Sequence, residues 1–247
     1  MYKQFSDFYD QLVFDIDYKK YSNNIKEILF SNSIHSGNIL EIGAGTGNLT
    51  RELAKLNNFN ILAIDNSVEM MKHAIEKISE FENVDYLYHD MFEFNYKMYG
   101  FDAVISLLDV MNYVTEIEDL EYLFNSIYES LNDGGVFIFD INSRYKLLEV
   151  LGNNIYVYEK DNIFYTWENT IDEEYDDLVY FDLNFFYKEE DGKYNRIYEE
   201  QVERYHSIEN IINILTNAGF TNIEYCDEDG GEYIENKTQR ILFSAKK

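Results

Sequence analysis

Proline is missing altogether from the 247 residues, an absence with no evident physical cause, and cysteine occurs once, at Cys226. A lone cysteine excludes an intramolecular disulfide, and its place in the strand-like NIEYCDE favours a buried thiol over a nucleophile. Basic side chains are scarce as well: 20 Lys+Arg stand against 47 Asp+Glu, a formal net charge of -27. Such a surface repels phosphate backbones and anionic membranes, so neither nucleic acid nor membrane is expected as a partner. No run reaches the roughly 18 apolar residues that a membrane span requires. The opening MYKQFSDFYDQLV lacks the basic and apolar pattern of a secretory signal, and a soluble, cytoplasmic protein is expected. His35, His73, His89 and His206 have no metal-ligand spacing, so no metal site is expected.

What is present is apolar enough to fold. Hydrophobic residues make up 46% and aromatics 17% of the chain, which supports one sizeable core with an embellishment. Tyr18, Tyr21, Ile25, Ile28 and Leu29 share one helical face and predict a leading helix that ends near Ser31. Strand-like and helical runs then alternate. ILEIG (39–43), NILAID (60–65), VDYLYHD (84–90), FDAVISLL (101–108) and GVFIFDIN (135–142) read as strands. Helices open at Ser67 and at a capping box, Thr115-x-x-Glu118. The alternation predicts an α/β fold with a doubly wound, mainly parallel, seven-stranded Rossmann-like sheet.

After residue 142 the period changes to two. IYVYE, IFYTWENTI, LVYFDLNFFYK and KYNRIYEEQVERYH, parted by DEEYDD and by Asp191-Gly192, predict an inserted antiparallel sheet. Residues 143–205 are therefore expected to cap a core formed by 1–142 and 206–247. The core resumes where Ser207 caps a helix that ends at Gly219.

Chemistry concentrates in LEIGAGTGNLT (40–50), where three glycines follow an acid and a short strand. The spacing Gly43, Gly45, Gly47 departs from the dinucleotide pattern GxGxxG, which would put glycine at Asn48. Glycine permits tight or left-handed backbone and close approach of a ligand, and the helix that follows offers free N–H groups to an anionic group. Glu41, Asp65 and Asp90 then fall at three successive strand ends, along the edge where open α/β sheets bind ligands.

In LEIGAGTGNLT, ILAIDNSVEMM, YHDMFEF, FDAVISLLDVMNYV and LNDGGVFIFDIN the chain resembles, over nearly its whole length, the class I S-adenosylmethionine-dependent methyltransferases. The resemblance implies S-adenosyl-L-methionine as cofactor, with S-adenosyl-L-homocysteine as product. It implies that Gly43, Ala44 and Gly45 approach the methionine part, that Glu41 orients their loop, and that Asp65 holds the ribose. Asn66 and Met70 would flank the adenine, Asp90 would bond its exocyclic amine, and Met91 would offer backbone N–H. Leu107 and the Asp109 region would border the amino group and the methyl. Tyr9 and Tyr21, in a lead-in that covers the cofactor in similar proteins, would line the pocket. Simpler readings stand beside these: Met70 and Tyr21 as packing, Asp65 as a helix cap, Asp109 as a solvated loop acid.

Methyl transfer is an in-line displacement at an already activated carbon, so alignment and exclusion of water are what the protein must supply. Asp109 and Tyr113 are the catalytic candidates, with Asn112, Arg196 and Glu200 for the substrate. Gln201 departs from the Glu-x-His-like stretch of similar enzymes, and His206, beside the Ser207 cap, reads as a surface or hinge residue. The cap's Tyr156, Tyr158, Tyr165 and Trp167 suit either an apolar pocket with polar tips or an interface, including a homodimer through the cap. A small-molecule acceptor with a nitrogen or oxygen nucleophile is expected. The other class compatible with the sequence is a cofactor-binding regulatory protein without turnover.

Overall fold

The computed structural model describes residues 9–10, 13, 16–160, 162–189 and 191–247. Helix α1 (Tyr18–Ser31) starts at Asp17, whose carboxylate accepts from Lys20 N at 3.0 Å, and buries Ile25 and Leu29 on the stripe expected of it. Strands and helices then alternate: β1 (Gly37–Ile42), α2 (Asn48–Ala54), β2 (Phe59–Asp65), α3 (Val68–Ile78), β3 (Val84–Tyr88), β4 (Phe101–Ser106), α4 (Ile117–Ser130) and β5 (Leu131–Asn142). Ser67 caps α3 by accepting from Met70 N. The capping box at α4 does not form: Glu116 occupies the cap position and no side chain bonds there.

A π-helical segment, Tyr145–Leu151, leads into β6 (Ile155–Lys160), β7 (Ile163–Ile171), β8 (Leu178–Lys188) and β9 (Tyr194–Arg204), which pair in that order as an antiparallel sheet. Helix α5 (Ile208–Ala218) returns the chain to the core, capped by Ser207 and closed by left-handed Gly219. Strands β10 (Thr221–Asp227) and β11 (Arg240–Lys246) complete a seven-stranded sheet of order β10-β11-β5-β4-β1-β2-β3. Only β11 runs antiparallel to its neighbours, β5 and β10.

Apolar side chains from both faces of this sheet make two cores, one under α4 and α5 and one under α1 and α2. In the first, Phe139 is fully buried and its ring lies 4.5 Å from that of Phe137, 5.1 Å from Phe124 and 5.1 Å from Phe243. The cap sheet shows the period of two directly: Val179, Phe181, Leu183 and Phe185 on β8 are buried while the residues between them are not. That face turns toward the core, where Met70 of α3 packs with Leu183, Phe185 and Ile197. Because Phe139 joins three rings at the centre of the sheet, Phe139→Ala should cost about 3–5 kcal/mol, read as a lower urea midpoint with an unchanged m-value.

Candidate active site

The glycine turn is the first element of the site. Gly43, Gly45 and Gly47 have φ of +74°, +55° and +76°, conformations that side chains with a Cβ rarely adopt. A Cβ on Gly43 would lie 2.5 Å from Val110, so close packing forbids it, whereas a Cβ on Gly45 would meet no atom within 4 Å and would stand in open space. The loop is held by Asp65, whose two carboxylate oxygens accept from Gly45 N at 2.8 Å and Ser67 N at 2.9 Å. Tyr86 Oη donates to the Gly45 carbonyl. Thus Asp65, expected at the ribose, also performs the loop-orienting role expected of Glu41. Glu41 itself is 2% exposed, and one of its oxygens, Oε2, has no hydrogen-bond partner among the described residues. Burial pushes its carboxyl up to about 8.

A cavity of about 970 Å³ runs from this turn to the inner face of the cap sheet. Its walls include Tyr9, Tyr21, Glu41, Gly43, Ala44, Gly45, Asp65, Asn66, Met70, Met91, Leu107, Asp109 and Tyr113, all singled out by the sequence. Residues before and within α1 close one side. Asp10 accepts from Thr46 Oγ1 at 2.6 Å and Asn48 Nδ2 at 2.9 Å and pairs with Lys77, while Tyr21 Oη donates to Glu228 at 3.2 Å.

Beyond β4 the backbone takes left-handed conformations at two successive non-glycine residues, Leu108 and Asp109, with φ of +65° and +64°. Such backbone persists only where its surroundings fix it. Asp140 on β5 does so, accepting from Leu108 N at 3.0 Å and Asp109 N at 2.9 Å, and Arg240 on β11 donates to Asp140 at 3.0 Å and to Asp109 at 2.5 Å. Burial opposes ionisation of Asp109, but Arg240 and Lys146 outweigh it and hold that carboxyl below its usual range. Asp109 is therefore an ion-paired wall of the cavity, not a solvated loop acid.

Four of the remaining candidates lie elsewhere. Asn112 is fully buried, accepting from Asn142 N and donating to the Arg204 carbonyl, so it joins core to cap and does not reach the cavity. Arg196 and Glu200 sit on the outer face of β9, bonded to Asn184 and Tyr198. The alternation of β9 gives the reason: Ile197, Gln201 and Glu203 form its buried face, and Arg196 and Glu200 have the opposite parity. Asp90 is bonded to Asn66 Nδ2 and Phe92 N and is not among the cavity walls. His206 is not a surface residue but 1% exposed, with Nε2 3.0 Å from the Val114 carbonyl, and burial pushes it down to about 4, so it is neutral. Gln201, which accepts from Tyr113 Oη at 2.9 Å, and Glu203 replace the outer pair as cavity walls. Pairing β9 with β8 through Ile197 and Phe185 was the signal that would have found them.

A family model described as a methyltransferase domain matches residues 39–135, from β1 into β5. A crystal structure of an S-adenosylmethionine-dependent methyltransferase from Clostridium acetobutylicum ATCC 824 is 36% identical, with a TM-score of 0.87 over 99% of this chain and 98% of that one. The chain belongs to the S-adenosylmethionine-dependent methyltransferases. YqeM of Bacillus subtilis (strain 168), provisionally named a methyltransferase, is 27% identical over 100% of this chain and 97% of its own length. A carboxy-S-adenosyl-L-methionine synthase of Helicobacter pylori (strain ATCC 700392 / 26695) is 30% identical over 59% of this chain.

The site of the methyltransferase fits its cofactor on two independent observations. The open space at Gly45 is a cradle that any Cβ would fill. The unpartnered Glu41 oxygen is a buried acceptor of the kind an ammonium satisfies. Gly45→Val, strained at φ +55° and filling the open space beside it, should lower affinity for S-adenosylmethionine by more than about 100-fold; calorimetry checks this, with urea unfolding of the same variant reporting whether the fold is kept. Glu41 also sets a pH dependence. Its carboxyl holds a proton up to about 8 when folded, against an ordinary value of 4.5. A raised folded value means stability is lost as pH rises from 4.5 through 8. Cofactor-free Glu41→Gln should gain on the order of 2–4 kcal/mol over wild type at pH 8 and little at pH 5, measured by urea unfolding at both.

Proposed function

We propose that this methyltransferase transfers the methyl group to a nitrogen or oxygen of a small molecule held between the glycine turn and the cap sheet. The observation that carries the reading is the extent of the cavity. Its volume, about 970 Å³, lies at the upper end of the roughly 300–1,000 Å³ usual for one small-molecule site. Its far half is walled by Tyr156, Tyr158, Tyr165 and Trp167 from the cap, and these residues are remote from the glycine turn in sequence.

Bound S-adenosylmethionine supplies a methyl group already activated by its sulfonium. The chain supplies placement. Gly43, Ala44 and Gly45 would take the methionine part, Glu41 its ammonium, Asp65 the ribose hydroxyls, and Asn66, Met70 and Met91 the adenine. Leu107 and Asp109 stand where these walls meet the cap, at the junction of cofactor and acceptor. Tyr9 and Tyr21 line the same cavity and would help to exclude water, which removes a competing nucleophile and strengthens every charge interaction inside.

The cap roofs the far half, and the -27 charge disfavours polyanions. Incubation of the protein with methyl-labelled S-adenosylmethionine and, separately, a metabolite extract, tRNA and denatured protein should put label in the small-molecule fraction only. Label in RNA or protein overturns the reading.

A further inference from the structure

The inner face of the cap carries a buried carboxyl for which placement of the cofactor has no use. Glu203 is 4% exposed, lines the cavity, and accepts from Asn142 Nδ2 at 2.7 Å. The charged groups facing it are Asp109 from the loop after β4, Lys146 from the π-helical segment and Arg240 from β11, with Asp140 behind them on β5. Arg240 is already divided between Asp109 and Asp140, and its Nε lies 3.7 Å from a fourth carboxylate, Glu228. Lys146 donates to Asn142 Oδ1 at 2.9 Å, and desolvation lowers its own pKa. Glu203 thus holds a proton in the ligand-free protein while Arg240 is committed to Asp109 and Asp140, and a cation brought beside Glu203 would favour its ionised form.

The same inner face of the cap sheet that carries Glu203 is aromatic toward β6 and β7. The rings of Tyr158 and Tyr165 stack at 4.8 Å and those of Tyr156 and Trp167 lie 5.6 Å apart. The buried Trp167 N–H meets no acceptor among the described residues. Aromatic faces attract cations, the more so when water is excluded. An alcohol would leave Glu203 proton-bound, and a carboxylate would oppose its ionisation further.

We propose that the acceptor is an amine that enters as its ammonium form, rests against the Tyr156, Tyr158, Tyr165 and Trp167 wall, and gives a proton to Glu203 before it is methylated. This rests on the small-molecule reading above. The ammonium loses one proton to the Glu203 carboxylate, which frees the nitrogen lone pair. The nitrogen forms the N–C bond as the C–S bond breaks with its electron pair left on sulfur. The methylated nitrogen leaves as an ammonium, and Glu203 returns the proton to water. Burial first, and then the Asp109 charge, push Glu203 up to about 8. A base with that value exchanges protons readily with an amine, being matched to it and to the working pH.

Calorimetry with S-adenosylmethionine comes first: absence of binding there strikes the cofactor reading, not this one. With the cofactor site filled by S-adenosylhomocysteine, Trp167, the sole tryptophan, reports on the acceptor half. Choline should change its fluorescence at a concentration at least about 10-fold below its uncharged carbon isostere, 3,3-dimethylbutanol. Equal or absent responses overturn the proposal without any variant. In turnover, benzylamine and glucosamine should yield S-adenosylhomocysteine where benzyl alcohol, glucose and benzoate do not; turnover confined to the alcohols or the acid overturns it. If none of these acceptors turns over, the choline comparison decides alone. Where amines do turn over, kcat should rise toward pH 8, and Glu203→Gln should lower it about 100-fold and flatten that rise with the KM for cofactor unchanged. A Glu203→Gln protein with wild-type kcat and pH profile overturns the assignment of the proton.

Discussion

The bond on which the site depends is the double engagement of Arg240. Its guanidinium joins Asp140, fully buried on β5, to Asp109 in the loop after β4, while Asp140 accepts the backbone N–H groups of Leu108 and Asp109. A buried charge is tolerated only when paired and hydrogen-bonded, and here each of the three members satisfies the others. Two successive left-handed residues would otherwise cost on the order of 1–3 kcal/mol each. The ion network holds them, and with them the turn after β4 that lines the cavity between core and cap. Removing Arg240 would leave two carboxylates facing each other in a desolvated place, a larger penalty than the pair itself returns.

From this turn the cap takes its position. Asn112 spans Asn142 N and the Arg204 carbonyl, Tyr113 reaches Gln201, and His206 meets the Val114 carbonyl. These bonds run from three successive residues, Asn112, Tyr113 and Val114, to the two ends of the insertion, and Asn142 extends them to Glu203. The inserted sheet is thus fixed where it leaves and rejoins the core, and its apolar inner face is seated on Met70. A hinge of buried hydrogen bonds specifies one placement more sharply than apolar contact alone, because a slip would strand these polar atoms.

The sequence made legible whatever is local or periodic. The glycine turn, the Ser67 and Ser207 caps, the strand-helix alternation and the change to period two after Asn142 are each written within a dozen residues. The resemblance to the methyltransferases then named most of the residues that the fold brings together along one cavity. What it left unread is non-local. Asp140 and Arg240 are 100 residues apart and look like ordinary strand-end charges until β11 folds antiparallel onto β5. His206 seemed exposed because it precedes a cap, but its ring crosses to a carbonyl 92 residues away. On β9 the charges alternate with only one inward apolar anchor, Ile197, so Arg196 and Glu200 could be taken for the inner face when Gln201 and Glu203 hold it. A one-residue shift in parity moves every side chain to the other side of a sheet.

The same non-local charges explain why such a site is costly to keep. Glu41 lacks a partner for one oxygen, and Glu203 is held against Asp109 with its carboxyl raised by burial and by that neighbour. Each group favours the proton-bound form in the ligand-free protein and would favour ionisation beside a cation. Both carboxyls line one cavity, the first on β1 and the second on the inner face of β9. Glu203 keeps a hydrogen bond from Asn142 Nδ2 at 2.7 Å, whereas Asp109 and Asp140 also pair with Arg240. Stability given up at fixed points, where only a positively charged ligand restores it, is how a folded protein stores selectivity for that ligand before it binds. The fold can bear this because the aromatic core beneath β5 and β11, centred on Phe137, Phe139 and Phe243, is packed independently of both carboxyls.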